Sequence, residues 1–492
     1  MPSSHKKKTN SFQFFFDILR QALSTLFMAL FSIIIAAVYT RIFPPSEYGV
    51  YSTAVAFVAP IITLSSEWIA QPTSRFYSEY ARRNHLSSLW QSINIFSLTI
   101  LSVLLTLFTF IWVFLPTSFK SQYGTICIEV FVVVILQSVT SIILPIFPAA
   151  FNTHLYRRIT ISTALSSAAI SLIFIYTFGR RIEYLLLGQI IAIGLFLPLV
   201  LRWSKWQRLT VKKVSRSRIA HTMKRMSIYG LPMMVWFLSS SLLDLGDRYV
   251  IQFTRGSAEV GIYSVNYALM AGIVILINVP VSIMLGPLLF EQWGRRDIAG
   301  TTRSLTQATT LYFVIACALI GAGSLVCESL VQLLLGKEFH VGQIFLVPIL
   351  VARAVWGISL IGQKSLELRE KTRMLMIIAI LSALLNLILN LFFVPKYGYI
   401  AAAYTTLFGY LFYLVLIYTQ TRREVRWEIE TAPAAFALIS SLLSYAITYF
   451  TIRNWTQIPS IFFGTSMFLI LFSAFFLTLS QPTRALIKRY LP

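Results

Sequence analysis

The few side chains of this sequence with chemical potential stand inside apolar runs. Arg353 lies in Leu346-Val-Pro348-Ile-Leu-Val-Ala-Arg353-Ala-Val-Trp356, with no other charge between Glu338 and Lys364. A lone guanidinium at mid-membrane costs about 3 kcal/mol on insertion scales, so it must face water or a counter-charge. As a site residue it offers a cationic point to an anionic group such as a phosphate or a sugar carboxylate. As a structural residue it pairs with a neighbouring helix. Ser240, Asp244 and Arg248 recur at steps of four, which places them on one helix face, with Asp247 nearby. That face reads as the outer half of a polar cavity, as a coupling-ion site, or as an ion pair ending a helix at the headgroups. Ser382, Asn386 and Asn390 repeat the spacing, either lining a pathway or joining two helices. Gln189, Asn266 and Glu129 are weaker candidates of the same kind, and Glu67 reads as interfacial.

Catalytic groupings are not in evidence. The five histidines (His5, His85, His154, His221, His340) lack ligand spacing, so no metal and no cofactor is expected. Gly357-Ile-Ser-Leu-Ile-Gly362-Gln-Lys364-Ser365 resembles a phosphate-binding loop with one residue too many, and it ends an apolar run. Cys127, Cys317 and Cys327 sit in apolar stretches without metal-ligand spacing and read as lipid-facing or packed thiols, with no disulfide framework expected. Asn454-Trp-Thr456 matches a glycosylation sequon in a short, membrane-proximal loop. A membrane enzyme of glycan assembly would need paired carboxylates or histidines on facing loops, and the longest outer loop is about 16 residues by this reading. No catalytic residues are assigned and no enzyme activity is expected.

The elements that must position these residues follow from composition. Of 492 residues, 57% are hydrophobic and 12% charged, against about 25% charged in a soluble domain; mean hydropathy is +0.73. Lipid must be part of the solvent. Apolar runs near 22–40, 50–69, 93–115, 125–148, 159–178, 184–201, 228–249, 260–286, 308–327, 344–363, 374–393, 398–418, 433–451 and 459–479 are each long enough to cross about 30 Å of hydrocarbon as a helix. They predict an all-α polytopic membrane protein of about fourteen spans. Such runs exclude a β-barrel, whose strands would be shorter and alternating. The apolar run after Met1-Pro-Ser-Ser-His5-Lys6-Lys7-Lys8 lacks a small-residue cleavage site and reads as an uncleaved first span.

The net charge of +23 does not point to nucleic acid, because cytoplasmic loops collect Lys and Arg. With the amino terminus inside, the inner segments hold 31 basic residues and the outer ones 9. An even number of spans with both termini cytoplasmic produces that split, and one missed helix would destroy it. Glu47-Tyr48-Gly49-Val50-Tyr51-Ser52 recurs as Glu259-Val260-Gly261-Ile262-Tyr263-Ser264, 212 residues or six helices later. An even offset implies two parallel six-helix lobes. The expected division is an amino-terminal lobe at 1–202, a basic cytoplasmic linker at 203–227, a carboxy-terminal lobe at 228–420, and helices 13 and 14 with a tail at 421–492. Pro60, Pro145, Pro148, Pro198, Pro280, Pro287 and Pro348 fall within helices and can kink them.

Arg41-Ile-Phe-Pro-Pro-Ser-Glu-Tyr-Gly49-Val-Tyr51-Ser resembles the first interhelical loop of Wzx-type polysaccharide flippases, in the superfamily that also holds the MATE multidrug extruders and the lipid II flippases. Asp247-Arg248-Tyr249 followed by Glu259-Val-Gly261-Ile-Tyr263, and Val394-Pro395-Lys-Tyr-Gly398-Tyr-Ile-Ala401, resemble the same family's helix 7–8 and helix 11–12 regions. The resemblance implies two lobes around a central cavity working by alternating access. The implied cargo is an oligosaccharide unit on a polyprenyl diphosphate, moved across the cytoplasmic membrane for surface polysaccharide or O-antigen export. The implied partners are that lipid-linked oligosaccharide, membrane lipids and polysaccharide-assembly proteins, with no nucleic acid. The same resemblance leaves a second reading, a cation-coupled MATE-type small-molecule antiporter. Those proteins commonly carry an acid in the first span. The run Ala22 to Thr40 has none, although Asp244 offers a substitute.

Overall fold

In a computed structural model, residues 11–150, 152–204, 214–422, 425–453 and 455–479 are described. The amino-terminal lysines, the middle of the basic linker, Arg423, Asn454 and the carboxy-terminal basic residues lie outside them. Thirteen helical runs among the described residues are long and apolar enough to cross a membrane. They are α1 (Ser11–Ile42), α2 (Pro45–Arg82), α3 (Leu86–Phe114), α4 (Thr117–Ala149), α5 (Thr153–Phe178), α6 (Glu183–Trp203) and α7 (Arg216–Thr254). Then come α8 (Ser257–Gly294), α9 (Ile298–Leu334), α10 (Gln343–Leu368), a 50-residue run Thr372–Thr421, α13 (Thr431–Ile452) and α14 (Gln457–Leu479).

The long run is two spans. At 1.5 Å per residue a straight helix of that length would be about 75 Å long, more than twice the hydrocarbon thickness. Gly398 breaks it, with φ +62° and ψ −150°, a conformation open almost only to glycine. The halves are α11 (372–397) and α12 (399–421), and the total is the expected fourteen. Sequence placed the turn on Val394-Pro395-Lys396-Tyr397, but those residues are still helical and the chain reverses at Gly398. Glu259 secures the reversal: its carboxylate accepts from the Tyr399 N–H at 3.1 Å and from Arg255 at 2.8 Å. A side chain at 398 would adopt forbidden geometry and collide with Glu259. Gly398→Ala is therefore expected to destabilise the protein by about 2 kcal/mol, read as a fall in detergent-solubilised melting temperature; an unchanged melt would refute it.

At the basic end of the bundle α2 and α7 are long: at 38 and 39 residues each exceeds what about 30 Å of hydrocarbon requires. The expected linker at 203–227 is corrected there: from Arg216 on it is the start of α7. Thr222 and Met226 are buried in it, and Arg225 forms a forked pair with Glu79 at 2.9 and 2.6 Å. The packing of that face on α2 makes the segment helical. Among the proline interruptions, Pro60 precedes a π-helical turn at Thr63–Glu67, and Pro145 separates the two parts of α4. Pro198 and Pro348 sit within continuous helices.

The two lobes meet along α2, α7 and α8. At the end away from the basic segments, α2 crosses α8 at the repeated motif itself. A Cβ on Gly49 would overlap the Ser257 carbonyl, and a Cβ on Gly261 would overlap the Pro45 carbonyl. The two copies thus pack glycine to glycine, each approaching the other's backbone. Thr53 donates to Gln252 at 3.1 Å, and the Tyr249 hydroxyl donates to the Ala56 carbonyl. At the basic end α2 meets α7 where Gly230 abuts the Trp68 carbonyl, and Arg75 bonds Glu370 at 2.6 Å. Helices α13 and α14 pack on α9, where Phe468 and Ser441 approach Gly321.

Candidate functional site

Two polar regions lie inside the bundle. One is an ion-pair network in the carboxy-terminal lobe. Arg353 on α10 reaches Asp244 on α7, Nη1 to Oδ1, at 2.9 Å. The same carboxylate oxygen accepts from the Tyr267 hydroxyl at 2.5 Å and from the Tyr410 hydroxyl at 3.1 Å. Four helices, α7, α8, α10 and α12, therefore converge on one carboxylate. The Arg353 guanidinium also lies 5.6 Å from the Tyr267 ring centroid, and Trp356, three residues on, packs against Tyr410 with centroids 4.9 Å apart. Asp244 keeps a more open face, its side chain 37% exposed against 14% for Arg353.

One turn along α7, Asp247 and Arg248 form a second node. Asp247 is fully buried. It accepts from the Tyr263 hydroxyl, from Thr406 at 3.2 Å and from the Arg248 N–H at 2.8 Å. Arg248 donates to Ser264 at 3.1 Å and to the Asp244 carbonyl at 2.9 Å. The expected partnership of Arg248 with Asp244 thus runs through the Asp244 backbone, and its nearer carboxylate is Asp247, at 3.4 Å. Ser240 shares the α7 face one turn before Asp244.

The amides of α11 are buried. Asn390 donates to Asn386 at 3.1 Å and accepts from Thr405 on α12 at 2.5 Å. Ser382 donates to its own helix, to the Ile378 carbonyl. Asn266 donates to the Phe339 carbonyl at 2.9 Å, tying α8 to the turn before α10. The Asn390–Thr405 and Asn266–Phe339 bonds are those of groups joining elements, while the Ser382 and Asn386 bonds stay within α11.

The second region is a cavity of about 690 Å³ bounded by α1, α2, α4, α5, α6 and α8. Its polar lining is hydroxyl and amide: Gln137 and Gln189, Tyr39 and Tyr51, and Thr160, Thr163 and Ser167 in one stripe of α5. Among the described residues no charged side chain lines it. Gln189 donates to Gln137 at 3.4 Å. Of the residues singled out from sequence as cavity candidates, Gln189 is here. Arg353, Asp244, Arg248, Ser240, Asn266, Asn386 and Asn390 lie outside this lining, and of these Arg353, Asp244 and Arg248 belong to the ion-pair network.

The repeated tyrosines divide between the regions: Tyr51 lines the cavity, and Tyr263 holds Asp247. Sequence inspection missed Gln137, the α5 hydroxyl stripe and the tyrosines Tyr267 and Tyr410. The spacing of Thr160, Thr163 and Ser167 at three and four was the available signal. The tyrosines gave none, because an aromatic residue in an apolar run reads as core.

A family model described as polysaccharide biosynthesis protein matches residues 17–293, the first lobe and the start of the second. The chain belongs to that family. The chain is also similar to an uncharacterized membrane protein of Methanocaldococcus jannaschii, 22% identical over 406 residues, which cover 77% of this chain and 78% of that protein. Among solved structures, the lipid II flippase MurJ in an inward closed conformation superposes with a TM-score of 0.72 at 14% identity, over 96% of this chain and 100% of that one. An inward-facing multidrug resistance transporter of the MATE family matches with a TM-score of 0.63 at 14% identity, over 81% and 94%. A Vibrio cholerae MATE transporter, VcmN in its bent form, gives 0.57 at 13%, over 87% and 97%. This polysaccharide biosynthesis family member therefore has the MATE-like fold that its loop motifs led one to expect.

Proposed function

We propose that the protein is a flippase that moves polyprenyl-diphosphate-linked oligosaccharide units across the cytoplasmic membrane, both termini cytoplasmic, by alternating access of its two lobes. The observation that carries this reading is the uncharged, hydroxyl- and amide-lined cavity in a member of a polysaccharide biosynthesis family. A glycan head group cannot cross hydrocarbon unaided, because each hydroxyl would lose its hydrogen bonds to water. Neutral donors and acceptors such as Gln137, Gln189 and the α5 stripe replace those bonds without demanding a charge. A polyprenyl tail stays in lipid throughout. Lobe contacts at both ends, Gly49 against α8 and Arg75 with Glu370, supply two places where the path would open in turn.

The antiporter reading needs an acid free to exchange a cation. Asp244, its best candidate, is held by Arg353. The test is reconstitution. Proteoliposomes carrying a fluorescent polyprenyl-diphosphate oligosaccharide should lose label from the loaded leaflet at a protein-dependent rate, and Gln189→Leu should slow that rate several-fold while the protein stays folded. Rates equal to empty liposomes, with drug efflux driven by a cation gradient, would overturn the reading in favour of the antiporter.

A further inference from the structure

We propose that Arg157 is the anion-binding residue at the basic end of the cavity, holding the phosphate linkage of the substrate while the uncharged cavity takes the sugars. This rests on the flippase reading above. Two arginines are buried among the described residues, Arg157 and Arg248, and Arg353 is nearly so, its side chain 14% exposed. Arg248 and Arg353 each hold an aspartate carboxylate. Arg157 is 9% exposed, and its Nη1 is buried with no hydrogen-bond partner in the protein. A buried guanidinium nitrogen without a partner is costly in a membrane protein and points to a ligand that would pair with it.

The register of α5 says what that position is. Arg157, Thr160, Ala164 and Ser167 follow at steps of three, four and three, which is one helix face. The last three line the cavity. Arg157 stands about 4.5 Å along the axis from Thr160, toward the basic end, within the opening turns of α5, whose free N–H groups add positive potential. An arginine that only marked topology would send its head to water. The neighbouring Arg158 is exposed and meets that description. The phosphate of a lipid-linked glycan is bonded directly to its first sugar. A hydroxyl-lined cavity with one buried guanidinium a helical turn beyond its lining matches that order of groups, and the guanidinium fork suits phosphate oxygens.

The experiment uses the full chain in phosphatidylcholine nanodiscs, titrated with undecaprenyl diphosphate, with phosphatidylglycerol as competitor. Wild-type protein should bind the diphosphate. Arg157→Met should weaken binding at least tenfold, and Arg157→Lys should weaken it less. Without ligand, Arg157→Met should melt at or above the wild-type temperature, because an unpartnered buried nitrogen has been removed. Equal binding by Arg157→Met overturns the assignment and leaves the flippase reading standing. A markedly lower melt of Arg157→Met, restored in Arg157→Lys, makes the residue structural and also overturns it. Competition by phosphatidylglycerol as effective as the diphosphate itself assigns the site to bulk anionic lipid instead. A wild-type protein that binds no diphosphate overturns both the assignment and the reading beneath it.

Discussion

Arg353→Ala is expected to lower stability by about 3 kcal/mol and to depress glycan translocation with it. Asp244 would keep two tyrosine hydroxyls and lose its cation, leaving a carboxylate among α7, α8, α10 and α12 with nothing to balance it. The informative variant is the double one. Arg353→Met with Asp244→Leu removes both charges and fills the space with apolar side chains, an exchange that is often neutral or stabilising for buried pairs. It is expected to recover the melting temperature and most of the transport rate, because the pair lies outside the cavity lining. Reconstituted flux beside a detergent melt decides the matter. A double variant that melts like wild type but moves no substrate would place Arg353 back on the substrate path.

Gly49→Leu is expected to have an effect of similar size by a different route. Gly49 meets the Ser257 carbonyl and the backbone at Gly261, so even a methyl group overlaps main chain that cannot move aside. Overpacking a tight contact costs about 1–3 kcal/mol, and here the displaced neighbour is the opposite lobe. The two lobes should part at this end, and a cysteine pair placed at Thr53 and Gln252, whose side chains touch in the native protein, should cross-link poorly. Gly261→Leu should reproduce the defect, since each glycine accommodates the other's backbone. Undiminished cross-linking in either variant would mean that the contact tolerates bulk and is not a closure point.

The number of spans and their order were legible because both rest on a signal that lipid enforces locally, apolar runs long enough to cross it. The start of α7 was not legible. Arg216, Arg218, Lys224 and Arg225 look like solvated loop, and the segment's partners come from distant helices: Glu79 and Phe76 of α2 hold Arg225, and Ser92 of α3 donates to the Ile219 carbonyl. Cost in the membrane correctly flagged Arg353 and Asp244 as residues needing partners, but it could not say that they would find each other across 109 positions. The cavity was the hardest to read. Its lining is made of Ser, Thr, Tyr and Gln side chains that carry no charge and so raise no alarm within an apolar run. Arg157 was counted as one more basic residue at a helix end, since burial is a property of the neighbours and not of the string.

The contrast between the lobes has a mechanical consequence. The carboxy-terminal half is cross-braced by charge, with Asp244 and Asp247 binding side chains from α7, α8, α10 and α12. Such an assembly resists shear, because any sliding of one helix unpairs a charge in hydrocarbon. The amino-terminal half has hydroxyls and an open volume in the corresponding place, and those bonds can be exchanged one at a time at little cost. The two halves then differ in stiffness more than in shape. One is the frame and the other the deformable wall; under the flippase reading proposed above, the wall would yield to a bulky head group while the frame kept the two halves in register.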